Sequence, residues 1–484
     1  MTMSSRVEKR LFWTILIVAI VLRVAVFNAF SAKHADEAIQ YIEQAHRIDF
    51  GYGIVPWEYR YVIRSWLIPL LLAGPMELGE RIDPGGTLYL ILPRVMVMLF
   101  NLAPVVAAWV IGRRQSLQHA IVAMAVAATW IECVLYAGQV LSETLATSAF
   151  MIGAAVMGAG VAGDRTRRLG TVAAGAMLAL ALLFRFQYAA AVLAFVAVAA
   201  GRDWRRWAML AAGGLPVVIG GGLVDLAMHQ MPYQWLLTNF RMNIGQGRMS
   251  GYGEASPFYY LYHLAVFWLP GIVAIPLLAV IGSRGNRALL AAAVANLLFH
   301  QLFGHKEYRF IWLSVLILVL LAALGSVEVL RRRRAEGKRS TTLLVAAWAG
   351  FSLLLAIAPA YRLKWRNSGA ASRLASQVVR DPAVCGVAVP QLAWTMFGYG
   401  LLHRYTPIYV LPVTGAGSIA APGALAQSFN VALSWGSGPP GYAKLECRDG
   451  KPARMCLFRR PGPCRSDAAA GPFLIQNWLE RTDR

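Results

Sequence analysis

A succession of long apolar segments constrains this chain more than any other feature. About 20 consecutive apolar residues in helical form cross the hydrocarbon core of a bilayer. Such runs fall near 11–30, 88–111, 119–135, 143–162, 169–184, 189–200, 208–227, 258–282, 288–303, 307–330 and 340–360. They predict about 11 transmembrane helices. The 169–200 stretch reads either as one long helix or as two short ones broken around Arg185. Of the 484 residues, 58% are hydrophobic and 14% are charged. A soluble domain carries about 25% charged residues. A chain this apolar cannot cover itself as a string of soluble domains, so a multi-pass membrane protein is expected. The first run is too long for a cleavable signal peptide and lacks a small-residue cleavage site after it.

The charges that remain are lopsided, 46 Lys+Arg against 24 Asp+Glu, a formal +22. Short basic clusters mark the cytoplasmic ends of membrane helices. With Arg6, Lys9 and Arg10 inside, alternation puts every short basic turn on the same side. These are Arg113-Arg114, the groups at 165–168, 202–206 and 284–287, and the run from Arg331 to Arg339. An odd number of crossings sends residues 361–484 outward. The basic excess is therefore a topology signal. No basic groove with interleaved aromatics accompanies it, and nucleic acid is excluded as a partner.

Eight of the 24 acids (Asp36, Glu37, Glu43, Asp49, Glu58, Glu77, Glu80 and Asp83) lie in one loop, 31–87. A second polar loop, 228–257, is rich in Tyr, Gln, Asn and Gly. Two polar outward loops over a helical bundle predict a site at the outer membrane face. Residues 1–360 are expected to form the membrane catalytic domain. Residues 361–484 change character, with Pro/Gly clusters and short alternating runs that predict a small soluble α/β domain. Four of the five cysteines (Cys385, Cys447, Cys456 and Cys464) lie there, and Cys133 lies in an apolar run. An oxidising compartment permits disulfides. At least one is expected among Cys447, Cys456 and Cys464, although sequence does not choose the pairing. Cys447 and Cys456 flank a turn-forming Asp449-Gly450. No Cys and His have zinc-finger spacing.

Four groups of residues offer chemistry. Asp36-Glu37 follow the first apolar run. Taken alone they read as a solvated helix start. Trp57, Glu58 and Arg64 lie downstream, with further acids, aromatics and arginines. That mixture suits sugars and phosphates, with a carboxylate as general base and arginines on phosphate oxygens. The second group, His305-Lys306-Glu307-Tyr308-Arg309-Phe310, sits between two apolar runs. On a helix, His305 and Arg309 would share a face, and with Lys306 they would hold a phosphate. Interfacial snorkelling accounts for Lys306 and Arg309 alone. The third is Arg185, which interrupts an apolar stretch where an ionisable residue marks a functional site. A loop arginine between two short spans is the plainer alternative. The fourth is Glu143, which reads as a first-turn acid behind a Ser142 cap.

These motifs together resemble the Alg9-like, GPI-type mannosyltransferase family. The resemblance rests on Asp36-Glu37, Gly51-Tyr52-Gly53, Trp57-Glu58 and Arg64-Ser65 in the first loop. His305 to Phe310 matches a further family motif. In the second loop it rests on Asp225, Tyr233, Asn239-Phe240, Asn243 and Tyr252-Gly253. It covers about residues 11–330, in the family's order. No matched motif is found in the tail.

The resemblance implies an all-α polytopic membrane protein of GT-C type. It implies inverting transfer of mannose from a polyprenyl (dolichyl-like) phosphate donor to a hydroxyl of a lipid-linked glycan or glycolipid. In the family the first-loop Asp deprotonates the acceptor, a role that maps onto Asp36, with Glu37 positioning. Candidates for the phosphate and substrates are His305, Lys306, Glu307, Arg309, Arg185, Arg64, Trp57, Glu58 and Tyr252. No cofactor or metal is expected, because the leaving group is a phosphate monoester. The Ala- and Arg-rich composition suggests a bacterial member. The plasma membrane with an outward site is then expected, or the endoplasmic reticulum with a lumenal site in a eukaryote. Transfer of another polyprenyl-phosphate sugar, such as an arabinosyl or glucosyl group, stays open. A flippase is the rival class, but it calls for an internal repeat that is not found.

Overall fold

Helices carry most of the chain, as the lengths of its apolar runs predict. The structure is a computed structural model. It describes residues 5–157, 164–248, 251, 253–333, 337–361, 369–379, 381–415, 417–421, 423–450, 453–465 and 468–482. Among them five helices are long and apolar enough to cross a membrane: Leu88–Arg113, Arg165–Phe184, Trp204–Ala227, Tyr308–Arg332 and Lys338–Ile357. Tyr259–Trp268 and Gly271–Gly285 make a sixth if the pair, bent by 99°, counts as one span.

Among the described residues several of the expected runs are not single unbroken helices of spanning length. The run at 119–135 divides at Trp130 into Leu117–Thr129 and Ile131–Tyr136. The 169–200 stretch divides at Arg185, whose backbone is extended. The run at 258–282 turns at Leu269, which precedes Pro270 and has a positive φ of 50°. Proline bars the preceding residue from helical geometry.

The chain divides into two compact units, with one boundary at 361/362. One comprises Met1–Phe27, Val97–Gly138 and Ser142–Tyr361. The other comprises Asn28–Met96, Gln139–Leu141 and Arg362–Arg484. The first polar loop thus belongs to the same unit as the tail.

The first unit is a helix bundle. Its helices approach closely where glycine replaces a side chain. A Cβ on Gly213 would lie 1.8 Å from the Val172 carbonyl oxygen, and one on Gly175 2.0 Å from that of Leu210. Gly282 and Gly325 make the same close crossing between Gly271–Gly282 and Trp312–Arg332. Helix Trp312–Arg332 is buried along nearly all its length. Trp204–Ala227 and Lys338–Ile357 instead expose Leu215, Ile219, Leu223, Leu343, Leu353 and Ile357, faces suited to lipid. Arg23 is buried in this bundle. Its guanidinium donates to the Ala128 carbonyl at 2.9 Å and the Ala127 carbonyl at 3.2 Å. It thereby caps the last turn of Leu117–Thr129, where the helix dipole favours a cation.

In the second unit, short helices at Asp36–Ile42, Glu43–Phe50 and Trp57–Arg60 precede the longer Leu67–Ile82. The tail contributes five strands: β1 (Val387–Pro390), β2 (Ile408–Leu411), β3 (Val431–Ser434), β4 (Ala443–Arg448) and β5 (Met455–Arg459). Their order is β2-β1-β3-β5-β4. β1 pairs in parallel with β2 and β3, and β5 is antiparallel to β3 and β4. Ala388, Leu411, Phe429, Ala432 and Phe458 form its core. Cys447 and Cys456 lie opposite each other on β4 and β5 and are disulfide-bonded. A second disulfide joins Cys385 to Cys464. Cys133 is free and buried.

Candidate functional site

The candidate residues fall into two clusters, one within each unit. In the second unit, Asp36 and Glu37 open a π-helical turn, Asp36–Ile42. Successive residues of a helix point about 100° apart, so the two acids meet different surroundings. Glu37 is fully buried. It accepts from Arg94 Nη1 at 2.7 Å, from the Val140 N–H at 3.1 Å and from the Lys33 N–H at 2.9 Å. Asp36 is only partly buried. Its Oδ1 accepts from Gln40 Nε2 at 3.1 Å, and the same amide donates to Glu58 Oε1 at 2.8 Å.

One amide therefore ties two carboxyl groups together. Burial, with Asp36 nearby, pushes the Glu58 carboxyl up to about 7, against the pull of Arg64. Burial also opposes the charge on Arg64, but Tyr41, Asp36 and Glu58 outweigh it and raise its pKa. Trp57 begins the short helix Trp57–Arg60, its ring 6.4 Å from that of Tyr61. The structure thus brings Asp36, Glu58 and Arg64 into one electrostatic group and turns Glu37 away from it.

The first unit holds the other cluster. Arg185 sits at the helix break, 6% exposed. Its Nη1 lies 3.1 Å from Glu143 Oε1 and 3.2 Å from Ser142 Oγ. Arg309 Nε lies 3.6 Å from the same Glu143 oxygen and 2.8 Å from Glu307 Oε2. Both guanidinium groups lie against the Phe310 ring, at 4.9 and 5.4 Å. His305 and Arg309 do not share a helical face, because helix resumes only at Tyr308. Glu307 bridges them instead, with His305 Nε2 3.4 Å from Glu307 Oε1. Lys306 is buried and donates to the Phe303 carbonyl at 2.5 Å.

The hydrogen bond from Glu307, helped by its charge and the Gly253 carbonyl, raises the His305 pKa against burial and Arg309. Two arginines (Arg185 and Arg309) face two carboxylates (Glu143 and Glu307). Counted with Lys306, the neighbour of Glu307 in sequence, the formal balance is one positive charge in excess, or two once His305 is protonated. The second loop reaches this cluster through Gly253, whose carbonyl lies 3.3 Å from His305 Nδ1, and through Ala255, whose N–H donates to Gly304. Tyr252 lies outside the described residues.

Two participants, Gln40 and Arg94, escaped the sequence, and a third was read only as a capping acid. Glu143 lies in the first turn of its helix, as expected, but it is buried and shared by two arginines. An acid inside an apolar run needs a buried partner, and Arg185 was the available signal. Gln40 stands four residues after Asp36, the spacing that lets helical side chains meet. Arg94, the partner of Glu37, lies inside an apolar run where a lone arginine requires an acid. Among the described residues no group of three or more His, Cys, Asp or Glu is placed to hold a metal ion.

Known proteins align with this architecture. GPI mannosyltransferase 3 of Yarrowia lipolytica (strain CLIB 122 / E 150) is 28% identical over 364 residues, covering 70% of this chain and 67% of that protein. GPI mannosyltransferase 3 of Drosophila melanogaster is 32% identical over 93 residues, 19% of this chain and 17% of that one. Among solved structures, ArnT from Cupriavidus metallidurans bound to undecaprenyl phosphate superposes with a TM-score of 0.58 at 14% identity. The match covers 95% of this chain and 98% of that one. Its apo form gives 0.57 at 14% identity, over 92% and 97%. The fold is thus that of the GT-C enzyme ArnT. The model of the Alg9-like mannosyltransferase family matches residues 12–365, and the chain belongs to that family, as a multi-pass membrane glycosyltransferase.

Proposed function

We propose that the chain moves a mannosyl group, with inversion, from a polyprenyl phosphate to a hydroxyl of a lipid-linked glycan or glycolipid at the outer membrane face. The observation that carries this reading is the convergence of Arg185 and Arg309 on Glu143, with Glu307 and His305 beside them and Lys306 next in sequence. Breaking the sugar C1–O bond leaves a phosphate monoester with growing negative charge, and preorganised cations lower that barrier. Undecaprenyl phosphate bound to ArnT, which shares the fold, supports the choice of carrier.

The second half of the reaction needs a base. Asp36 takes the proton from the acceptor hydroxyl as its oxygen bonds to C1 and the lipid phosphate departs. Gln40 holds the Asp36 carboxylate, and Glu37, anchored to Arg94, fixes the turn from which Asp36 projects. Arg64 and Glu58 complete the charge around it, and Trp57 offers a face for sugar.

The test is transfer by the purified full chain from a panel of polyprenyl-phosphate sugars (mannose, glucose and arabinose), with the product anomer determined. Mannose transfer with inversion is expected, together with its loss in Asp36→Asn at unchanged membrane yield. Lys306→Ala should impair donor use far more than Lys444→Ala, on an exposed position of β4. Transfer by Asp36→Asn at the wild-type rate would remove Asp36 as base. Preference for another sugar would replace mannose.

A further inference from the structure

We infer that the helix bundle carries a second phosphate site, unconnected with sugar transfer, that takes the headgroup of an anionic phospholipid. A cavity of about 500 Å3 opens among the ends of its helices, lined by Arg114, Arg167, Arg206, Arg284 and Arg287. Ligand pockets are commonly of this size. These arginines come from four separate turns, far apart in sequence, and converge on one space. Basic residues that only mark topology need no shared cavity, since each hydrates on its own.

Part of this charge is unspent. Arg206 has an acid, Asp203, at 3.2 Å. Arg284 and Arg287 have no carboxylate partner among the described residues, and no acid lines the cavity among them. Two buried donors point to a missing acceptor. Arg114 gives one terminal nitrogen to the Ala154 and Ala155 carbonyls, but its Nε has no partner. Asn286, at the N-cap position of Arg287–Gln301, has an unpartnered Nδ2. Unmade hydrogen bonds at buried donors are costly, and a phosphate supplies several acceptor oxygens at once.

The remaining wall selects a lipid over a soluble phosphate. Met157, Phe195, Val198 and Leu289 line the same cavity, and Val198 is 48% exposed on the outer face of its helix. Arginines beside an apolar, outward-opening wall match a phosphate attached to acyl chains. Basic pockets between membrane helices hold anionic headgroups in this way.

Delipidated full chain in detergent, titrated by native mass spectrometry, tests the site. The arms are phosphatidylglycerol, phosphatidylcholine with the same chains, and glycerol 3-phosphate as a competitor without chains. Retention of phosphatidylglycerol should exceed that of phosphatidylcholine by about tenfold, and R284Q/R287Q should remove that margin. The control R331Q/R332Q deletes two arginines that are paired with Glu328 and lie outside the cavity. It should leave retention within about twofold. Equal retention of the two lipids overturns the proposal, as does equal loss in both double variants, which would mean diffuse charge. Displacement by glycerol 3-phosphate at equal concentration assigns the cavity to a soluble phosphate and overturns the lipid.

Discussion

Glu43 and Gly400 stand 357 positions apart, yet the Glu43 carboxylate accepts the Gly400 N–H at 2.6 Å. Its other oxygen accepts the Ile54 N–H, also at 2.6 Å. Beside them His46 Nε2 lies 3.2 Å from His403 Nδ1, and His403 Nε2 lies 2.8 Å from Glu80 Oε2. Burial pushes His46 down to about 3, so its ring stays neutral. The tail is therefore not an appendage: it holds the loop that carries Asp36. A Cβ on Gly400 would stand 3.0 Å from the Glu43 Cα and 3.1 Å from Ile42 Cγ2. Gly400→Val is expected to cost about 1–3 kcal/mol through overpacking. Limited proteolysis should then cut the tail sooner than in the wild type.

The same carboxyl makes stability depend on pH. Burial pushes Glu43 up to about 7, although the N–H groups of Gly400, Ile54 and Tyr399 pull the other way. An unfolded glutamate titrates near about 4.3. The folded value is the higher one, so this contribution is complete below about pH 4.3 and disappears as pH rises through about 7. The thermal midpoint of the wild type should lose this contribution between about pH 4.3 and about pH 7, and the loss should be absent in Glu43→Gln. Identical slopes in the two proteins would assign the titration to another group.

Adjacent acids should separate by readout. Glu37 and Arg94 form an ion pair whose side chains are 0% and 2% exposed. Removing one partner strands a buried charge, so Glu37→Ala is expected to cost about 3–5 kcal/mol. Asp36→Asn keeps the bond to Gln40 possible and should change stability by less than about 0.5 kcal/mol while abolishing transfer. Denaturation midpoints and transfer rates on the same preparations check both. Equal destabilisation by the two variants would mean that Asp36 is structural as well.

The two disulfides should differ in worth. Cys385–Cys464 spans 79 residues of sequence and Cys447–Cys456 only 9. A cross-link that closes a longer loop restricts the unfolded chain more, so losing the first should cost about 2 kcal/mol more than losing the second. Cys385→Ser and Cys447→Ser variants, compared by the denaturant concentration at which the tail becomes protease-sensitive, measure the difference.

Helical content, the polar loops and a tail with strands and disulfides were legible because each rests on local composition. The break at Arg185 was legible as one of two alternatives, but the turn at Leu269 was not, because it depends on a single residue inside an apolar run that otherwise continues. Within the candidate site, residue types were legible and partnerships were not. Asp36 and Glu37 look alike in sequence, and only the position of Arg94 and the Val140 N–H separates them. Glu143 shows the same gap. Its value as a shared anion depends on Arg185 and Arg309, which lie 42 and 166 positions further along the chain.

His305 supplies the pH dependence expected of donor use. Its hydrogen bond to Glu307 raises its pKa above the ordinary value, with burial acting against it. The imidazolium is therefore present below that pKa, and its charge is lost as pH rises through it. The second positive charge of the cluster goes with it. The KM for the polyprenyl-phosphate donor should rise with pH across this step, while KM for the acceptor stays flat. In Glu307→Gln the support is gone, so the inflection should move down toward the ordinary histidine value, about 6.5. The variant also deletes one negative charge from the cluster, so the position of the inflection, and not the level of KM, is the readout. An inflection that stays in place in Glu307→Gln and vanishes in neither that variant nor His305→Gln would transfer the titration to Glu58, on the acceptor side of the reaction.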